Sequence, residues 1–184
     1  MFKIIAVTNR KLCDGDLLQQ IEKIARENVT AIILREKDLQ EEEYRKLAES
    51  VLAICNRYST KCILHTYIET AEALGQSAIH LPLPVFRENK ENLKAFQTIG
   101  VSVHSAEEAM EAQELGAAYV TAGHVFATDC KKGLPPRGIT FLEEVVKSVK
   151  IPVFAIGGVN SSNIEEIKQT GAAGCCMMSG FMKK

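Results

Sequence analysis

Residues 151–158 read IPVFAIGG and residues 171–180 read GAAGCCMMSG, with a polar, helix-like run between them. Each piece is a short apolar strand that ends in small residues, Gly157-Gly158 after the first and Ser179-Gly180 after the second. Glycine permits positive φ and close approach of a ligand to the backbone. Free N–H groups in such turns, or at the start of a following helix, form a cradle for a phosphate. In a (β/α)8 barrel a phosphate site of this kind commonly lies in the loops after strands 7 and 8. If these are strands 7 and 8, six more lie upstream.

Apolar, β-branched runs at Phe2–Val7, Thr30–Leu34, Cys62–Leu64, Ala78–Leu81, Ile99–Val103 and Ala117–Ala122 supply strands 1 to 6. Helical segments alternate with them. Asp14 or Asp16 can cap a helix running to Glu27. Glu41–Asn56 opens with acidic residues and places Leu47, Val51 and Ile54 near helical spacing. Glu69–Leu74 is short, and the polar Glu88–Phe96 is the weakest segment. Ser105 with Glu108 three residues on resembles a capping box, before a helix to Leu115. Phe141–Val149 and Ser162–Thr170 complete the set. A strand every ~20 residues, with helices between, argues for parallel strands in an α/β fold.

A doubly wound sheet shares this pattern. It expects a glycine fingerprint in the first turn, and Val7-Thr8-Asn9-Arg10 has none. The expected architecture is therefore a single-domain (β/α)8 TIM barrel over residues 1–184. At 184 residues it is short against the usual ~250. Only Ser179 to Lys184 follow Met178, so the barrel should lack its final helix. An apolar face left between the first and last strands would favour a homo-oligomer.

Lys and Arg number 22 against 23 Asp and Glu, a net charge of -1, so no bulk attraction to nucleic acid or anionic membrane is implied. No basic leader with an apolar core opens the chain, and no apolar run is long enough to span a bilayer. A cytoplasmic location is expected. The six Cys lack metal-type spacing and read as reduced, buried apolar residues. Cys175 and Cys176, adjacent on one strand, should face opposite ways.

Chemistry in this fold sits at the C-terminal strand ends. The candidates are Thr8, Arg10, Arg35-Glu36-Lys37, His65, Ser102, His104, His124, Gly157-Gly158 and Ser179-Gly180. Several cations and a phosphate cradle imply an anionic ligand. Ala127–Gly138, with Lys131, Lys132 and Arg137, reads either as a lid over that anion or as a solvated charged loop. His124 follows a strand and a glycine, where an imidazole can take and return a proton within one turnover. A capping or core histidine is the alternative. His65, His80, His104 and His124 fall near four successive strand ends, but no HxH or HxxxH pair and no evident carboxylate joins them, so no metal is expected. His80 should lie below the rim. Glu36 and Asp38 could act as an acid–base pair, or could pair with Arg35 and Lys37 or lie in solvent.

These residues resemble a known family. Leu34-Arg-Glu-Lys-Asp38, the run from Gly100 to Ala109, Gly123-His-Val-Phe126, Pro152 to Val159 and the glycine-flanked final strand are similar to the thiamine phosphate synthase family, including its thiazole tautomerase branch, TenI. The resemblance covers almost the whole chain in order and implies a barrel that binds a thiazole phosphate. The synthases couple a pyrimidine diphosphate to a thiazole phosphate with Mg2+, using Asn-Asp after strand 3 and an acidic residue after strand 4. This chain has His65-Thr66 and Leu81-Pro82-Leu83-Pro84 there. Hard cations of this kind need oxygen ligands. After strand 6 the synthases carry Gly-Pro, then Thr-x-Thr-Lys, where this chain has Gly123-His124, then Thr128-Asp129-Cys130-Lys131.

Both departures resemble the tautomerase. The resemblance then implies an isomerase of thiamin biosynthesis that needs no cofactor, with His124 as the proton shuttle. It assigns ligand binding to Arg35, Lys37, Ser102, Thr128, Lys131, Gly157, Gly158, Ser179 and Gly180. The alternatives are a Mg2+-dependent synthase with displaced metal ligands and a non-catalytic phosphate-ester-binding barrel.

Overall fold

The computed structural model describes residues 1–27, 29–128 and 133–183. Its strands are β1 (Lys3–Val7), β2 (Ala31–Leu34), β3 (Cys62–His65), β4 (Ala78–Pro82), β5 (Thr98–Val103), β6 (Tyr119–Gly123), β7 (Val153–Ile156) and β8 (Gly174–Met177). They close into a barrel in sequence order, and β8 returns to β1 in parallel with Cys176 beside Ile5. The chain is a (β/α)8 TIM barrel.

Alternation along the strands divides the apolar residues into two clusters, as period 2 requires. Ile5, Val7, Ile33, Ile63, Phe154 and Cys176 belong to the smaller one, inside the barrel. Ala6, Ile32, Leu34, Leu64 and Cys175 belong to the larger one, between strands and helices. Cys175 and Cys176 thus face opposite ways. Burial pushes the Cys175 thiol up to about 11. Gly100 leaves room inside for the Tyr119 ring, which a Cβ at that position would overlap.

The helices are α1 (Leu17–Arg26), α2 (Glu41–Arg57), α3 (Ile68–Ala73), α4 (Leu83–Asn89), α5 (Ala106–Glu114), α6 (Gly138–Ser148), α7 (Ile164–Gln169) and α8 (Ser179–Met182). Asp16 caps α1, accepting from Gln19 N at 2.9 Å. Ser105 caps α5, while the Glu108 carboxylate reaches back one residue beyond the capping-box position, to His104 N at 2.6 Å. The helix after β4 begins at Leu83, earlier than its polar sequence suggests. Pro84 presets its first turn and Leu83 and Phe86, three apart, are buried.

Among the described residues the segment after β8 forms one helical turn, α8, in place of a full eighth helix. It buries Phe181 and Met182, and the buried Gln20 of α1 donates to Phe181 O at 2.6 Å. Among the described residues the large apolar side chains left exposed are Met1, Met110 and Leu134, so the apolar face expected between β1 and β8 is largely covered. No helix among them is long and apolar enough to cross a membrane.

Candidate active site at the barrel mouth

Barrel closure brings the C-terminal ends of all eight strands to one rim. At the β1–β2 corner the organising group is Glu36. Its carboxylate is buried and accepts from the Thr8 hydroxyl at 2.7 Å, from Arg10 N at 3.0 and 3.1 Å, and from the Arg10 guanidinium at 3.3 Å. Thr8 Oγ1 in turn accepts from Arg35 N at 2.9 Å. Asp38 holds Arg10 through two bonds, at 2.5 and 2.9 Å, and Lys11 at 2.8 Å. Those cations hold the Asp38 carboxyl well below the usual range. Glu36 and Asp38 therefore pair with Arg10 and Lys11, and not with their sequence neighbours Arg35 and Lys37. Nothing in the sequence signals this, because the partners lie on a different strand end.

Tyr44 of α2 is a second feature the sequence does not reveal. Its hydroxyl donates to Leu34 O at 2.7 Å and accepts from His65 N at 3.0 Å, wedging the tops of β2 and β3. His65 and His80 stack inside the barrel with ring centroids 5.8 Å apart. Burial is the chief cause that lowers both imidazoles. The charges of Lys37 and Arg35 add to it, placing those cations within electrostatic reach of the barrel interior. His80 falls to about 3, so it is neutral at physiological pH. It lies below the rim, as expected. It bonds Tyr119 Oη at 3.1 Å and Ser102 Oγ at 2.9 Å.

His124 follows β6 directly and is buried, with Nε2 3.4 Å from Leu134 O. His104 Nδ1 lies 2.8 Å from Gly123 O. A carbonyl only accepts, so this nitrogen carries the proton and braces the peptide before His124. Val125 N donates to Ile156 O and Phe126 N to Gly157 O, both at 3.0 Å. Arg137 N and Gly138 N return to His124 O and Val125 O at the same distance, closing the base of the loop.

Gly157 and Gly158 have φ of +96° and +67°. A Cβ at Gly158 would lie 2.7 Å from Phe126 Cβ. These glycines are needed for packing against the His124 segment, whatever they also bind. Ser179 and Gly180 open α8, where first-turn N–H groups lack intrahelical acceptors. Thr128 sits half-buried at the start of the loop. Lys131 and Lys132 lie outside the described residues.

Among the described residues no group of three or more His, Cys, Asp or Glu is placed to hold a metal ion. The β3 end offers an imidazole and a hydroxyl, and the β4 end Leu81 and Pro82. Glu36 and Asp38 are already engaged. Among the described residues this donor set does not suit a hard cation that needs several oxygen ligands.

A family model described as thiamine monophosphate synthase matches residues 4–181. The thiamine-phosphate synthase of Fusobacterium nucleatum is 35% identical over 186 residues, which span 99% of this chain and 90% of that protein. The enzyme of the same name from Syntrophomonas wolfei is 33% identical over 190 residues, 98% of this chain and 88% of that one. The solved structure of thiamine phosphate pyrophosphorylase from Pyrococcus furiosus matches with a TM-score of 0.84 at 31% identity, covering 100% of this chain and 88% of the other. With nearly its whole length matched in sequence and in fold, the chain belongs to the thiamine monophosphate synthase family.

Proposed function

We propose that this enzyme is the thiazole tautomerase of its family, converting a carboxy-thiazole phosphate with an exocyclic double bond into the aromatic carboxy-thiazole phosphate. The observation that carries this reading is the placement of His124. It stands at the β6 end, backed by the β7 glycine turn, at a rim where β3 ends in His65 and β4 in Pro82.

The chemistry needs one base that becomes an acid. The imidazole of His124 removes a proton from the ring carbon, and that electron pair forms the new ring double bond. The ring's existing double bond shifts by one position, and the exocyclic π pair takes the proton back at the exocyclic carbon. Nothing is oxidised, and no metal is part of the step. The phosphate is held by N–H groups at Ser179-Gly180 and the Gly157-Gly158 turn. Arg35 and Lys37 balance the remaining negative charge.

The names of the relatives favour a second reading, the Mg2+-dependent coupling of a pyrimidine diphosphate to a thiazole phosphate. One assay separates the two. Ultraviolet absorbance reports the ring becoming aromatic without added metal, and coupling is followed with and without Mg2+. Coupling that requires Mg2+, with no tautomerisation, would establish the synthase.

A further inference from the structure

Inside the barrel a chain of hydrogen bonds crosses from β6 to β4 and on to β5. Tyr119 Oη lies 3.1 Å from His80 Nδ1, and His80 Nε2 lies 2.9 Å from Ser102 Oγ. Thr121 Oγ1 stands 3.3 Å from Ser102 Oγ and 3.4 Å from His80 Nε2. Tyr119, His80 and Thr121 are buried, whereas Ser102 is partly open to the mouth.

The direction of each bond follows from counting protons. A neutral imidazole has one N–H and one bare nitrogen. His80 Nδ1 is the acceptor in reach of the Tyr119 hydroxyl among the described residues. If Nδ1 carried the proton, the phenol O–H would be buried without a partner, which folded proteins avoid. Tyr119 therefore donates to Nδ1, and the imidazole proton sits on Nε2. That N–H donates to Ser102 Oγ, the nearer of its two hydroxyl neighbours. The buried Thr121 hydroxyl donates to the same oxygen. Ser102 then accepts twice, and its own proton has one open direction, toward the mouth.

We infer that Tyr119 and His80 are positioning residues that fix the Ser102 hydroxyl as a hydrogen-bond donor facing the mouth, so that this point takes an acceptor atom of the ligand and turns away a donor. An anionic oxygen or an unprotonated ring nitrogen fits that requirement, and an amine or a hydroxyl proton does not. The wiring holds across the working pH range because burial keeps His80 neutral, with Arg35 and Lys37 of the β2 end and the His65 ring as its charged and titratable neighbours. The identity of the ligand rests on the tautomerase reading, but the wiring itself does not.

Two measurements test it. In the ligand-free protein, nitrogen-15 NMR of the imidazoles should show His80 protonated on Nε2 and bare on Nδ1, without titration between neutral and mildly acid pH. A His80 protonated on Nδ1, or one that titrates near neutrality, overturns the inference. Affinity for the aromatic carboxy-thiazole phosphate is then compared in Ser102→Ala, Tyr119→Phe and the double variant. Each single change should weaken binding by about 3–10-fold. The double variant should bind like Ser102→Ala alone, because Tyr119 acts through that hydroxyl. Additive losses would overturn the relay even with the expected tautomer. The Nε2–H signature in a protein that neither binds nor converts the thiazole phosphate would support the wiring and sink the proposed function.

Discussion

A Cβ built on Gly157 would lie 2.7 Å from His124 Cα, so the β7 turn and the β6 end pack backbone against backbone. The absence of a side chain at residue 157 lets the imidazole stand where it does. The same contact limits how the phosphate site can be probed. Gly157→Ala and Gly158→Ala add both overlap and left-handed strain, at a combined cost of about 2–4 kcal/mol. At Gly180 the nearest atom to an added Cβ is Met177 Cε, the end of a flexible side chain. Gly180→Asp should therefore keep the melting temperature within a few degrees while weakening phosphate-ester binding more than tenfold (~1.4 kcal/mol). Calorimetric titration of a folded Gly180→Asp protein with unchanged affinity would place the phosphate elsewhere.

His124→Asn removes the imidazole and leaves the proposed anchors at β2, β7 and β8. General acid–base catalysis contributes about 10²–10⁴-fold, or roughly 3–5 kcal/mol of barrier. The variant should lose tautomerisation by that factor and bind the aromatic product nearly as wild type does. Full turnover would remove His124 from the mechanism.

Thr8 both donates to Glu36 and accepts from Arg35 N. Thr8→Val keeps the shape but strips partners from a buried carboxylate and from the Arg35 N–H, for a loss of about 1–3 kcal/mol. Thr8→Ser keeps both bonds and should restore most of it. If the corner also aims Arg35 at the ligand, Thr8→Val should raise KM more than it lowers kcat. Equal stability of the two variants in urea denaturation would discount the network.

Acid should destabilise this protein before its carboxylates titrate. His80 is held at about 3 when folded, against roughly 6.5 in an unfolded chain. Between those values the unfolded state binds one more proton, so stability rises with pH. That stability is complete above about 6.5 and drains by up to ~1.4 kcal/mol per unit as pH falls toward 3. His65, lowered for the same main reason, steepens the slope. Urea midpoints measured from neutral pH down to about pH 4.5 should fall more gently in His80→Gln than in wild type. Parallel slopes would mean that His80 ionises freely in the fold.

The order of strands and helices was legible in the sequence because apolar runs and breakers act locally. So were the closure class, from the glycine turns after β7 and β8, the Ser105 cap, a cap on α1 at Asp14 or Asp16, the opposed faces of Cys175 and Cys176, and the place of His124 just past β6. Each depends on residues within one element or its turn. Tertiary structure alone decided which carboxylate meets which cation. Glu36 and Arg10 are 26 residues apart and meet only because β1 and β2 end side by side. It also decided that Tyr44 wedges two strand tops, that the short α8 closes the β1–β8 side, and that His80 is wired to Ser102. Those contacts depend on strand register and on which side chains then meet across the barrel, which bring distant residues within about 3 Å and which no local pattern encodes.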